Sequence, residues 1–357
     1  MNASRLTDLA ELALAGYGRF TAPGPPPVPD LETLGRDPSG FANLQAQRFA
    51  ARFEVAVPTF EDAFSTSGSG QTSFDVTVFK KRQPPDQSKI FISFRGTGQQ
   101  ELLTSPNDLT AVAEIITSYA AFSQIVEMVN WWRRVSTPRE LFAPQFKLNA
   151  ASFRPERIAN VRGTGEVADL LATTPGAKVV VTGSSLGGHL AMAFAGLFPE
   201  VTESAVAFNS PGFGNTQGVR ELFVAMGGSV PLPGNPLIVN VNSSEANNAG
   251  QQLNVVAGYP AGSYPGSRLI VPIEDQWLTD VPDAKPGSYN HDQRQVTDAL
   301  TVFDLLQRLD PALTLQQFGD VMRRSMRRTP ARDLSLYRLL ERRLRQRNFV
   351  DVHWSFP

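Results

Sequence analysis

Residues 179–191, VVVTGSSLGGHLA, constrain this chain more than any other stretch. A β-branched run opens the segment and an Ala- and Leu-rich helical pattern closes it. Between them Gly183, Ser184, Ser185, Leu186 and Gly187 set a serine between two glycines. A chain that passes this abruptly from strand to helix forces the central residue into a strained backbone conformation. Gly183 and Gly187 leave room for neighbouring backbone to approach closely. The serine Oγ then projects from the sheet tip, above a helix N-terminus that favours developing negative charge. The pattern is that of a nucleophile elbow with Ser185 at its apex. The bland alternative is a Gly/Ser-rich turn capping an ordinary helix.

Other short apolar runs extend this strand into a sheet. FDVTVF (74–79) alternates like a half-buried strand, and IFISF (90–94), KVVVT (178–182), SAVAF (204–208) and LIVNV (237–241) read as further strands. Helical patterns fall between several of them, which predicts a mostly parallel central sheet with helices on both faces, an α/β architecture. Hydrophobic residues make up 41% of the 357, enough for a sizeable core. We place one domain over 1–298, which includes an N-terminal helix and a Pro-rich linker at 23–29, and a helical extension over 299–357. Leu6, Leu9, Ala10 and Ala13 give the first helix an apolar side. Asp8 and Glu11 interrupt any run that could serve as a signal peptide. The sequence therefore implies a soluble protein, cytoplasmic or exported by a leaderless route. With no cysteine, disulfides, zinc–thiolate sites and a cysteine nucleophile are excluded.

Directly after IFISF comes Phe94-Arg95-Gly96-Thr97. Together, FRGT and GSSLGG resemble the class 3 lipases, the fungal triacylglycerol lipase type, and related bacterial phospholipases. The resemblance spans roughly residues 40–310. It implies an α/β-hydrolase fold, and an oxyanion hole formed by Thr97 and the amide of Leu186. Acyl transfer does require such donors, each worth about 3–4 kcal/mol when it meets the developing charge. Read without the resemblance, FRGT is a tight turn at a strand end with Arg95 in a salt bridge. The chain departs from the family at Ser184, where most members have His.

A serine nucleophile needs a base, and the chain has three histidines: His189, His291 and His353. His189 lies one helical turn beyond Ser185, where its side chain points away from the serine tip. His353 lies close to the C-terminus. His291, in a loop (GSYNHD) before a helical pattern, suits the order serine, acid, histidine, and the family's histidine is also late and precedes a closing helix. For the acid, Glu245 follows the strand LIVNV and stands 60 positions after Ser185, an offset similar to the family's. The family usually has Asp there. Asp275, Asp280 and Asp283 are the competitors.

Between FRGT and the elbow, Ile115, Tyr119, Phe122, Val126 and Val129 recur at helical spacing, followed by Trp131 and Trp132. The resemblance makes this region a lid, and periodicity alone equally describes a core-packed helix. In the C-terminal region, residues 322–347 hold ten arginines against Asp333 and Glu341, a net +8, which leaves −9 for the rest of a chain whose total is −1. A basic amphipathic helix of this kind can contact an anionic membrane surface, or it is a solvated face paired with the acidic body. It lacks interleaved aromatics and any nucleic-acid motif, so nucleic-acid binding is not expected. No metal-ligand spacing, Walker loop or dinucleotide fingerprint appears, so neither a cofactor nor a metal is expected. The resemblance implies a serine hydrolase of lipid esters, lipase or phospholipase A in type. The alternatives are an esterase or polyester hydrolase on the same machinery, and an inactive lipid- or partner-binding protein of the same fold.

Overall fold

The computed structural model describes residues 1–34, 40–61, 74–83, 89–96, 106–149, 152–174, 176–243, 264–273 and 291–326. In chain order the elements are α1 (Ala3–Ala15), α2 (Val28–Thr33), α3 (Asn43–Arg52), β1 (Phe53–Glu61), β2 (Asp75–Lys81), β3 (Ile90–Phe94), α4 (Pro106–Ser118), α5 (Phe122–Val135), β4 (Phe142–Leu148), β5 (Pro155–Arg162), α6 (Glu166–Ala172), β6 (Val179–Ser184), α7 (Leu186–Leu197), β7 (Thr202–Phe208), α8 (Gln217–Ala225), β8 (Ile238–Ser243), β9 (Ser267–Val271), α9 (Gln293–Leu309) and α10 (Leu315–Met326). Seven strands form one mixed sheet in the order β1-β2-β3-β6-β7-β8-β9, and β4 and β5 make a separate antiparallel pair. The β1–β2 and β2–β3 pairs are antiparallel, and every pair from β3 to β9 is parallel.

Helices cover both faces, and the period-2 geometry of the strands sorts their side chains between two cores. Ile90, Ile92, Phe94, Val179 and Val181 join α5 and α7 on one side. Phe91, Val180, Val206 and Val241 join α1, α3 and α9 on the other. The inner parallel strands β3 and β6 are mostly apolar because both of their faces are buried. β6, at the centre, is buried at all six positions.

α1 is more deeply embedded than its sequence suggests. Asp8 and Glu11, the residues that break its apolar run, are themselves buried. Arg52 of α3 pairs with both, and Lys81 Nζ lies 2.9 Å from Asp8. The helix packs on the sheet and on α9, where the Thr7 hydroxyl donates to the Leu300 carbonyl at 3.0 Å. Position 299 lies within α9, and residues 327–357, which hold most of the basic stretch and His353, lie outside the described residues. Among the described residues no single helix is long and apolar enough to cross a membrane.

The helical repeat read across 115–129 divides into two helices, because Tyr119, with φ of 65°, turns the chain between α4 and α5. Trp131 and Trp132 belong to the core: they are 1% and 4% exposed and pack against Phe94 and Phe194. The paired tryptophans are held by ring contacts on several sides.

Candidate active site

The elbow is built at the end of the central strand. Ser185 follows β6 and precedes α7, with φ of 54° and ψ of −122°, a region that a residue with a Cβ adopts only under constraint. Two hydrogen bonds supply that constraint. The Ser185 N–H donates to the Phe208 carbonyl of β7 at 2.8 Å, and the Ser185 carbonyl accepts from the His189 N–H at 3.1 Å, which closes the first turn of α7. The flanking glycines are required by proximity. A Cβ on Gly187 would lie 2.1 Å from the Phe94 carbonyl oxygen, and one on Gly183 would lie 2.4 Å from the Gly187 carbonyl carbon. An alanine at Gly187 would therefore push α7 away from β3, and one at Gly183 would push β6 away from α7.

His291 reaches the elbow from a distant part of the chain. Its Nε2 lies 2.8 Å from Ser185 Oγ. The residue immediately precedes the N-cap of α9, where the Asp292 carboxylate accepts from the Arg294 N–H at 2.9 Å. Burial lowers the imidazole pKa from its ordinary 6.5 to about 4, so the ring is neutral at pH 7. A neutral ring whose Nε2 accepts the serine proton carries its own proton on Nδ1.

His189 lies in the same helix as the elbow but is turned into the core. Its Nε2 accepts from the Ala121 N–H at 3.2 Å, its Nδ1 lies 3.1 Å from the Pro211 carbonyl oxygen, and Phe213 stacks on the ring at 4.1 Å. Burial lowers its pKa to about 4 as well. It fastens α7 to the α4–α5 corner and to the loop after β7.

Leu186 is the first residue of α7, so its amide is among those that an α-helix leaves without an intrahelical acceptor. Its side chain is buried against Ala111, Ile115 and Ala121. Thr97 lies outside the described residues, but Gly96 does not. A Cβ on Gly96 would come within 2.3 Å of the Ser184 carbonyl oxygen and 2.4 Å of the Tyr17 hydroxyl, so the loop after β3 starts in contact with the elbow. Arg95 of the same motif pairs with Asp75. Glu245, Asp275, Asp280 and Asp283 all lie outside the described residues. β8, the strand that leads to Glu245, ends at Ser243 beside β7.

The structure thus brings Ser185, His291 and the Leu186 amide together at the C-terminal edge of the parallel strands, where α/β sheets commonly bind ligands. Sequence reasoning passed over Asn209, which is wholly buried with φ of 46° and hydrogen-bonds to the backbone of His291. The available signal was an Asn directly after a strand, where such a residue tolerates left-handed backbone. Among the described residues no cluster of acidic and histidine side chains could hold a metal ion.

No family model matches the chain, and no curated protein matches it. Among solved structures it is similar to the extracellular lipase LipA of Serratia marcescens, with a TM-score of 0.44 and 14% identity over 84% of this chain and 50% of that one. The chain therefore spans half the length of the Serratia protein. It is also similar to the Lip2 lipase of Yarrowia lipolytica, with a TM-score of 0.42 and 13% identity over 83% of this chain and 95% of that one. For lipase II of Rhizopus niveus the TM-score is 0.35 and the identity 14%, over 75% and 80% of the two chains.

Proposed function

We propose that this protein is a serine carboxylic-ester hydrolase of the α/β-hydrolase type that acts on lipid esters through an acyl-enzyme. One observation carries the reading: a serine in strained elbow backbone has a neutral, buried imidazole nitrogen 2.8 Å from its Oγ. An alcohol is a poor nucleophile at neutral pH, and a base within hydrogen-bond reach removes that limit.

Ser185 Oγ attacks the ester carbonyl carbon as its proton passes to His291 Nε2. The carbonyl oxygen becomes an oxyanion, met by the Leu186 amide and by Thr97. The tetrahedral species collapses, the C–O bond to the alcohol breaks, and His291 returns the proton to the leaving alkoxide. Water then attacks the acyl-enzyme by the same path in reverse, with His291 again as base. Glu245 receives the Nδ1 proton as a hydrogen bond and stabilises the imidazolium that forms in each step. The preference for lipid esters rests on the FRGT and GSSLGG motifs. The apolar group of Leu186, Ala111, Ile115 and Ala121 beside the nucleophile also suits an acyl chain.

The test is turnover of triglyceride, phospholipid and short p-nitrophenyl ester by the purified protein, with Ser185→Ala alongside. The variant should lose about 10³-fold or more in kcat, and a fluorophosphonate should label Ser185 in the wild type alone. Labelling at Ser184, or a fully active Ser185→Ala, contradicts the reading.

A further inference from the structure

The end of β7 holds the main chain of both groups that meet at the elbow. The Phe208 carbonyl accepts from the Ser185 N–H at 2.8 Å. The next residue, Asn209, reaches the other partner. Its own N–H donates to the Val241 carbonyl at 2.8 Å, its Oδ1 accepts from the Ser243 N–H at 2.8 Å, and its Nδ2 donates to the His291 carbonyl at 3.3 Å. A single buried carboxamide therefore joins the last residue of β8 to the residue before the N-cap of α9.

The orientation of this amide is dictated by its neighbours. The Ser243 N–H requires an acceptor, which fixes Oδ1 there and directs Nδ2 toward His291. The left-handed backbone of Asn209 does not by itself require an amide, because glycine adopts it with less strain. What glycine lacks is the donor. We propose that Asn209 is a positioning residue for the base: by holding the His291 carbonyl, it sets the main chain from which the imidazole is aimed at Ser185 Oγ. The proposal rests on the serine-hydrolase reading above. Reacting atoms tolerate little displacement, and an error of about 1 Å costs up to ~10²-fold in rate.

Two variants separate positioning from mere support. Asn209→Gly keeps the backbone conformation and removes the donor. Asn209→Asp keeps the acceptor for the Ser243 N–H and sets an oxygen against the His291 carbonyl. With a p-nitrophenyl ester, each should lower kcat by about 10-fold or more while KM stays within about twofold. Fluorophosphonate labelling of Ser185 should slow in proportion. A variant that melts earlier but keeps wild-type kcat shows a structural role alone and overturns the proposal, as does a change confined to KM. If Asn209→Gly does not fold, Asn209→Asp decides, because it keeps the tie to β8. Ser185→Ala is run in parallel, and its retention of turnover would remove the serine-hydrolase reading itself, whatever the Asn209 variants do.

Discussion

Two buried histidines, one in α7 and one ahead of α9, share a titration behaviour and differ in everything else. Burial lowers each from 6.5 to about 4. His189 has a backbone partner at each ring nitrogen and an aromatic ring stacked on it. His291 presents Nε2 to a serine hydroxyl in strained backbone. A depressed pKa therefore says only that a ring is buried. The partner of the accepting nitrogen separates a base from a brace.

The sharpest way to break this comparison is to remove each ring in turn. His291→Ala should lower kcat by about 10³-fold or more, because nucleophile and base act as a unit. His189→Ala should change kcat by less than about tenfold. It should instead cost about 2–4 kcal/mol in urea denaturation, through a cavity and two unmet backbone groups. If His189→Ala loses as much turnover as His291→Ala while remaining folded, the two roles have been wrongly divided.

A smaller effect sharpens the difference further. A base needs its Nδ1 proton held, so Glu245→Gln should lower kcat by about 10²-fold or more with the fold intact. Asn replacements at Asp275, Asp280 and Asp283 serve as controls, and collapse of one of them with Glu245→Gln near wild type transfers the role to that aspartate.

The smallest effect is one the two histidines share. The unfolded chain takes up protons at about 6.5 and the folded chain only near 4, so the neutral rings contribute stability that is complete above pH 6.5 and lost as pH falls toward 4. Each histidine adds a slope of about 1.4 kcal/mol per pH unit in that window. Burial raises the pKa of Glu114 and so acts in the opposite direction, which makes the comparison of wild type with His189→Gln the useful measurement. The variant should lose one histidine's slope, and an unchanged slope means the ring is not held neutral.

The parts of the fold that were legible in the sequence are those set by local pattern. IFISF is β3 residue for residue, the run at 204–208 lies in β7 and 238–241 of the next run lies in β8, because strands buried on both faces leave a mostly apolar signature. β1 was missed: it carries Pro58, lies at the sheet edge and pairs with two register shifts, so its alternation is broken. β9 was missed too: only one of its five positions is buried, and its apolar run is short. Asp8 and Glu11 interrupt the apolar run of α1, and Arg52 and Lys81, from elsewhere in the chain, make their burial tolerable. At the site, the elbow could be read from thirteen consecutive residues. Asn209 could not, because its meaning depends on Ser243 and His291, 34 and 82 positions away.

The packing of α1 against α9 also fixes an order of events during synthesis. Thr7 and its partner Leu300 are 293 positions apart. The Gln293 and Thr297 side chains, both at 3.2 Å, donate to the Ala10 carbonyl of α1. At the usual 5–20 residues per second, the ribosome needs roughly 15–60 s to supply the second half of that contact. Until then the side of α1 that carries Thr7 and the Ala10 carbonyl has no α9 to pack against it. The helix that completes this packing is also the one that carries His291 at its entrance. Completion of the core and arrival of the base are therefore a single event, and a partly made chain has a serine without its partner.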